Sequence, residues 1–207
     1  MKRLILLVVI FLCCNSLKAQ HSQVVIFFND STSLDGYGEV INDKIYFKLE
    51  QKDELTEWDY NSVYAIHFVG YGFIEKYEYV KSDKYRKPRI MQLIEEGNVF
   101  LYELPKQIVI TNIVSRINYE VRKTSNDYEL NGNPFNRVKF IKEYFIKMPN
   151  NEKAIDIVFS FKTRVERYFS DCPELIEKVN DKTFTKYNIP EMIIYYNDYC
   201  GNELLKD

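Results

Sequence analysis

The sequence predicts an α+β chain, with an antiparallel β-rich region, a sandwich or open barrel, followed by a small disulfide-stapled helical region. Three observations predict it. Short runs rich in β-branched and aromatic residues, broken by turn residues every eight to twelve positions, fill the chain from Gln23 to about Leu130. At Asn131-Gly132-Asn133-Pro134 the apolar spacing changes from alternation to helical steps. Beyond that point lie two cysteines, Cys172 and Cys200.

The β-like runs come in order. Gln23 to Phe28 is the first, and Gly36 and Gly38 punctuate the turn after it. Glu39 to Ile41 and Ile45 to Leu49 flank Asn42-Asp43-Lys44 as a tight hairpin. Val63 to Val69 ends at Gly70-Tyr71-Gly72, and Phe73 to Val80 follows. Ile90 to Ile94 and Val99 to Leu104 flank Glu95-Glu96-Gly97-Asn98, a second hairpin. Ile108 to Thr111, Ile117 to Arg122 and, after the turn Ser125-Asn126-Asp127, Tyr128 to Leu130 complete the region.

The helical readings start with Asn133 as a cap and Pro134 in a first turn, with Phe135, Val138, Ile141 (or Lys142) and Phe145 at helical spacing. Pro149-Asn150-Asn151 breaks that helix, and a second runs from Glu152 to Phe169, bending near Phe161. Asp171-Cys172-Pro173-Glu174 opens a third through a capping box between Asp171 and Glu174. Asn188 and Pro190 open the last, whose face carries Ile189, Ile193, Tyr196 and Cys200, and Gly201 ends it.

Residues 1–20 read as a secretory signal. Lys2 and Arg3 precede the uncharged run Leu4 to Leu12, and Ala19 offers a small residue for cleavage after Ala19 or Gln20. The run is shorter than the roughly 20 apolar residues of a membrane-spanning helix. A lipoprotein signal at Cys13 or Cys14 competes, although neither cysteine follows the usual small residue. The expected division is a signal at 1–20, a β-rich domain at 21–132 and a helical region at 133–207. Loss of Lys2, Arg3 and Lys18 lowers 28 Lys plus Arg to 25, against 30 Asp plus Glu, a formal charge of −5. A mildly acidic chain gives no reason to expect a nucleic-acid partner. The mature chain holds no further segment apolar enough to cross a membrane. Periplasm is the expected compartment, with the cell surface and the medium left open.

In an exported chain an even cysteine pair reads as a disulfide, and a helical hairpin brings the start of Cys172's helix to the end of Cys200's. Redox pairs stand two residues apart, a far tighter spacing.

The tail Tyr168-Phe169-Ser170-Asp171-Cys172-Pro173-Glu174-Leu175, continued by Tyr195-Tyr196-Asn197-Asp198-Tyr199-Cys200, resembles the C-terminus of a group of uncharacterised exported proteins common in flavobacteria and their relatives. Met91 to Tyr102 resembles that group's central hairpin, and Leu34 to Gly38 loosely its first. The resemblance implies export, a two-part layout and the disulfide. It brings no activity, and Lys81 to Arg89 departs from the group's pattern.

The search for chemistry returns few candidates. His21 and His67 form no metal-binding motif, so no metal or cofactor is expected. There is no nucleophile elbow and no phosphate loop. Glu95 with Glu96, and Glu75 with Glu78, point to opposite sides of their strands. The segment Lys81 to Arg89 carries five cations, and Lys84, Arg86 and Lys87 are candidates for an anion-contacting loop, against a plain solvated hairpin loop. The expectation is a non-enzymatic module that binds an envelope protein or a glycan through its β-rich part. The alternative is a hydrolase-like enzyme with a site assembled from scattered acidic, tyrosine or His67 side chains.

Overall fold

In the computed structural model the described residues are 22–70, 72–106, 121–124, 127–130, 137–139 and 141–200, with side chains described outside 105–141. The signal segment, His21, the runs Ile108 to Thr111 and Ile117 to Glu120, the Asn133-Pro134 cap and Gly201 lie outside them. The chain divides into two compact units, Met1–Ile74 and Glu75–Asp207.

Unit 1 is an open antiparallel sheet in the order β5-β1-β2-β3-β4. Its strands are β1 (Ser22–Phe28), β2 (Ser33–Ile41), β3 (Lys44–Lys48), β4 (Thr56–Trp58) and β5 (Val63–Val69). Alternation sends Val24, Ile26, Ile45, Phe47 and Ile66 inward. Asn42 and Asp43 both take positive φ (51° and 63°), the paired left-handed geometry of a two-residue hairpin turn. Gly36 and Gly38 are not turn residues but lie inside β2. A Cβ on Gly36 would stand 2.4 Å from the Lys48 carbonyl oxygen and 2.6 Å from the Phe47 ring. A neighbouring strand's close approach, not a turn, therefore requires glycine there.

Unit 2 carries β6 (Ile74–Val80), β7 (Arg89–Glu95), β8 (Phe100–Lys106), β12 (Ile141–Lys147) and β13 (Ile155–Asp156) in the order β13-β12-β8-β7-β6, again open and antiparallel. A separate three-stranded sheet holds β9 (Val121–Thr124), β10 (Asp127–Leu130) and β11 (Arg137–Lys139). Three helices follow: α1 (Phe161–Tyr168), α2 (Pro173–Asn180) and α3 (Ile189–Tyr195), the last running into a π turn at Tyr196–Cys200.

The helix expected around Phe135 to Phe145 is corrected to strands β11 and β12. Phe145 and Ile146, neighbours pointing to opposite faces, are both fully buried. The long helix expected from Glu152 is also corrected. Asp156 Oδ1 accepts from the Val158 and Phe159 amides at 2.9 and 3.1 Å, which turns the chain after β13. Ser160, at φ 51°, starts α1 one residue later.

One face of the unit 2 sheet packs Leu101, Ile146, Ile155 and Ile157 against Val165, Phe169, Leu175, Ile189 and Ile193 of the helical segment. The other face gathers Val80, Met91, Tyr102, Leu104 and Phe145. Cys172 and Cys200 are joined, with Cα atoms 5.7 Å apart. The expected Asp171 cap is not used: Cys172 is the N-cap of α2 and makes no side-chain cap bond. Asp171 instead accepts from the Tyr196 hydroxyl at 2.6 Å.

Asn197, buried beside the disulfide, reaches back across the unit. Its Oδ1 accepts from the Val99 amide at 2.9 Å and its Nδ2 donates to the Val99 carbonyl at 3.0 Å. A Cβ on Gly97 would stand 2.6 Å from Asn197 Cγ, so glycine leaves room for the clamp.

Candidate functional site

The segment Lys81 to Arg89 is tied to its own unit. Ser82 bridges Ala154 in parallel, the Asp83 amide donates to the Ala154 carbonyl, and the Ala154 amide donates to that of Lys81. Lys84 Nζ stands 3.0 Å from Glu143 Oε2 and 2.8 Å from Asp156 Oδ2, two carboxylates with almost no exposure. Tyr85 donates its hydroxyl to Glu143 at 2.6 Å, and Arg164 holds Asp83 at 2.7 Å. Desolvation pulls the Lys84 ammonium down, but the hydrogen bonds to Asp156 and Glu143 outweigh it and leave its pKa raised. Of the three candidate anion contacts, Lys84 thus serves two internal carboxylates, while Arg86 and Lys87 are exposed.

The other residues singled out in the sequence have local roles. The His67 ring rests 4.4 Å from that of Phe27. Glu96 pairs with Lys76 at 2.6 Å, and Glu78 accepts from the Tyr102 hydroxyl at 2.8 Å. Among the described residues, no group of three or more His, Cys, Asp or Glu is placed to hold a metal, and no helix is long and apolar enough to cross a membrane.

On the helix-bearing face of the sheet the register builds a feature that sequence reasoning missed. Tyr77 lies opposite Gln92, Gln92 opposite Glu103, and Glu103 opposite Tyr144. Directly opposed residues share a face, so these four form one polar row across β6, β7, β8 and β12. Strand spacing sets its repeat at about 4.8 Å. Glu103 accepts from Lys142 Nζ at 3.0 Å and also from Tyr144. Glu75, two residues along from Tyr77, accepts from its hydroxyl at 3.4 Å.

Burial, then the charge and hydrogen bond of Glu75, push the Tyr77 phenol up to about 12. Tyr144 is raised further by burial and by Glu103, with a smaller push from Glu191 on α3. Both tyrosines therefore keep their protons at neutral pH. Helix α3 packs on β7 and borders the row. The row lines up two neutral hydroxyls, one amide and one carboxylate; Tyr77 donates to Glu75 and Tyr144 to Glu103, and Glu103 is buried while Tyr77, Gln92 and Tyr144 are partly exposed. Its members are 11 or more residues apart in sequence, so no local motif announces it.

No protein-family model matches the chain, and no curated protein or solved structure matches it either.

Proposed function

We propose that the protein is an exported, non-enzymatic binding module of the bacterial envelope, and that the row Tyr77–Gln92–Glu103–Tyr144 contacts a glycan chain laid across the strands. The observation that carries the reading is the direction and spacing of the row. A bound peptide strand runs along a sheet edge and pairs through its backbone. A row perpendicular to the strands, repeating at about 4.8 Å, suits a ligand whose polar groups recur at about the length of one pyranose unit. Tyrosine hydroxyls and the Gln92 amide both donate and accept, as sugar hydroxyls require. Export to the periplasm is supported by the leading segment and by the disulfide.

Co-sedimentation of the purified mature protein with insoluble envelope polysaccharide tests the reading. The Tyr77→Phe/Gln92→Ala double variant should lose most of the retention, with its circular dichroism unchanged. Undiminished retention of that variant refutes it. Release of reducing ends from the polysaccharide would replace it with the hydrolase reading, in which the carboxylates are Glu75, two residues along β6 from Tyr77, and Glu103, two strands across from it beyond Gln92. Mass spectrometry of the mature form should find a chain starting near Gln20 or His21, and a diacylated Cys13 or Cys14 would instead place the protein on a lipid anchor.

A further inference from the structure

A second surface of unit 2 lies on the disulfide-stapled helices. The Tyr195 ring sits 5.5 Å from Phe184 and 4.9 Å from Tyr199. Lys178 of α2 stands 5.2 Å from the Tyr195 ring centroid, and Glu174, one turn earlier on α2, accepts from the Tyr195 hydroxyl at 2.9 Å. Tyr195 is thus held by ring, cation and carboxylate together. Tyr199 leans on it with its rings tilted by 31° and remains 69% exposed. The backbone that carries Tyr199 is the π turn Tyr196–Cys200. Such turns are rare and concentrate at functional sites, and the bond from Cys200 to Cys172 holds this one in place.

We infer that Tyr199, backed by Tyr195 and edged by Glu174 and Lys178, is a stacking platform for a single pyranose ring of a glycan. The inference rests on the glycan reading above but places its contact on a different surface. A pyranose has an apolar C–H face and a rim of hydroxyls. The platform has the complementary layout: an open aromatic face beside a carboxylate acceptor and an ammonium donor. A protein partner fits less well. Aromatic side chains bury about 150–250 Å² each, and rings that already cover one another fall far short of the roughly 800 Å² per partner of a stable interface.

The test titrates the intact, oxidised mature protein with oligomers of N-acetylglucosamine, glucose and mannose. Affinity is read by calorimetry, and contact by saturation transfer from the tyrosine rings to sugar C–H protons. The wild type and Tyr199→Phe, which keeps the ring, should bind at least one oligomer. Tyr199→Ala should bind it about tenfold more weakly and lose the C–H contact. Equal binding by Tyr199→Ala, or no binding of any oligomer by the wild type, overturns the inference. Loss of binding in Gln92→Ala with Tyr199→Ala unaffected would leave the strand row standing and remove the platform. The reverse pattern would remove the row alone.

Discussion

Removing the Asn197 side chain should cost unit 2 more than any surface change, and a second substitution should give part of that cost back. In Asn197→Ala the Val99 amide and carbonyl, bonded at 2.9 and 3.0 Å, are left buried without their partner. An unsatisfied buried group costs about 1–3 kcal/mol. The carbonyl retains lone pairs that relax more easily than an N–H, so the pair together should cost about 2–4 kcal/mol. Gly97→Ala alone pushes a Cβ to 2.6 Å from Asn197 Cγ, an overpacking worth about 1–3 kcal/mol. In the double variant that collision has no target. Its destabilisation should therefore fall short of the sum of the two singles by at least about 1 kcal/mol. Any stiffening of the unfolded chain by alanine enters the single and the double alike and cancels. Urea unfolding of the oxidised protein, followed by tyrosine circular dichroism, supplies the four free energies. Additivity within about 0.5 kcal/mol would refute the clamp, as would an Asn197→Ala variant as stable as the wild type.

Four further outcomes follow from the geometry. Replacing both Cys172 and Cys200 with alanine opens a loop of sequence separation 28 and should cost roughly 3.5 kcal/mol, measured by the same unfolding experiment. Lys84→Met should destabilise by about 1–3 kcal/mol, because Glu143 and Asp156 keep their burial and lose a shared cation whose own 37% exposure holds the cost below that of a fully buried pair; the triple change Lys84→Met/Glu143→Gln/Asp156→Asn should recover part of it. Tyr77 and Tyr85 are both raised from 10.0 to about 12, so their unfolded forms release protons first. Their contribution is complete below pH 10 and is lost as pH rises towards 12, so the ring resonances of Tyr77 and Tyr85 should shift to the tyrosinate form together with unfolding rather than before it. Gly36→Ala should cost about 1–3 kcal/mol in unit 1, and a neutral result in thermal melts would show that β2 and β3 can part more easily than their packing implies.

The fold was legible where one face of an element meets solvent. Val63 to Val69, a run of β-branched and aromatic residues ended by Gly70, is observed with those bounds, although its neighbours Ala65 and Ile66 are both buried. The Asn42-Asp43 hairpin is readable in its turn residues, and the starts of α2 and α3 in the prolines Pro173 and Pro190 of their first turns, although neither N-cap makes a side-chain bond. Strand β12 was not legible because the unit buries it on both sides. Phe145 faces one cluster and Ile146 the other, so alternation disappears and an accidental helical spacing with Phe135 and Val138 takes its place. The cations of Lys81 to Arg89 looked solvated because Glu143 and Asp156, which engage Lys84, are more than 50 residues away along the chain. The polar row was hidden for the same reason, since each of its residues sits on a different strand. The disulfide alone combined a compartment argument with a local one, and it stands between the expected cysteines.

The clamp between Asn197 and Val99 also sets an order of events. The side chain that completes the start of β8 lies 98 residues downstream of it. β8 must also wait for β12, and the shared core waits for all three helices. A chain delivered through a narrow channel N-terminus first would therefore carry an unfinished unit 2 until Asn197 and Cys200 had emerged. Premature closure, which would jam such passage, is discouraged by the wiring itself. Cys172 and Cys200, 28 residues apart, would likewise meet only after both had emerged.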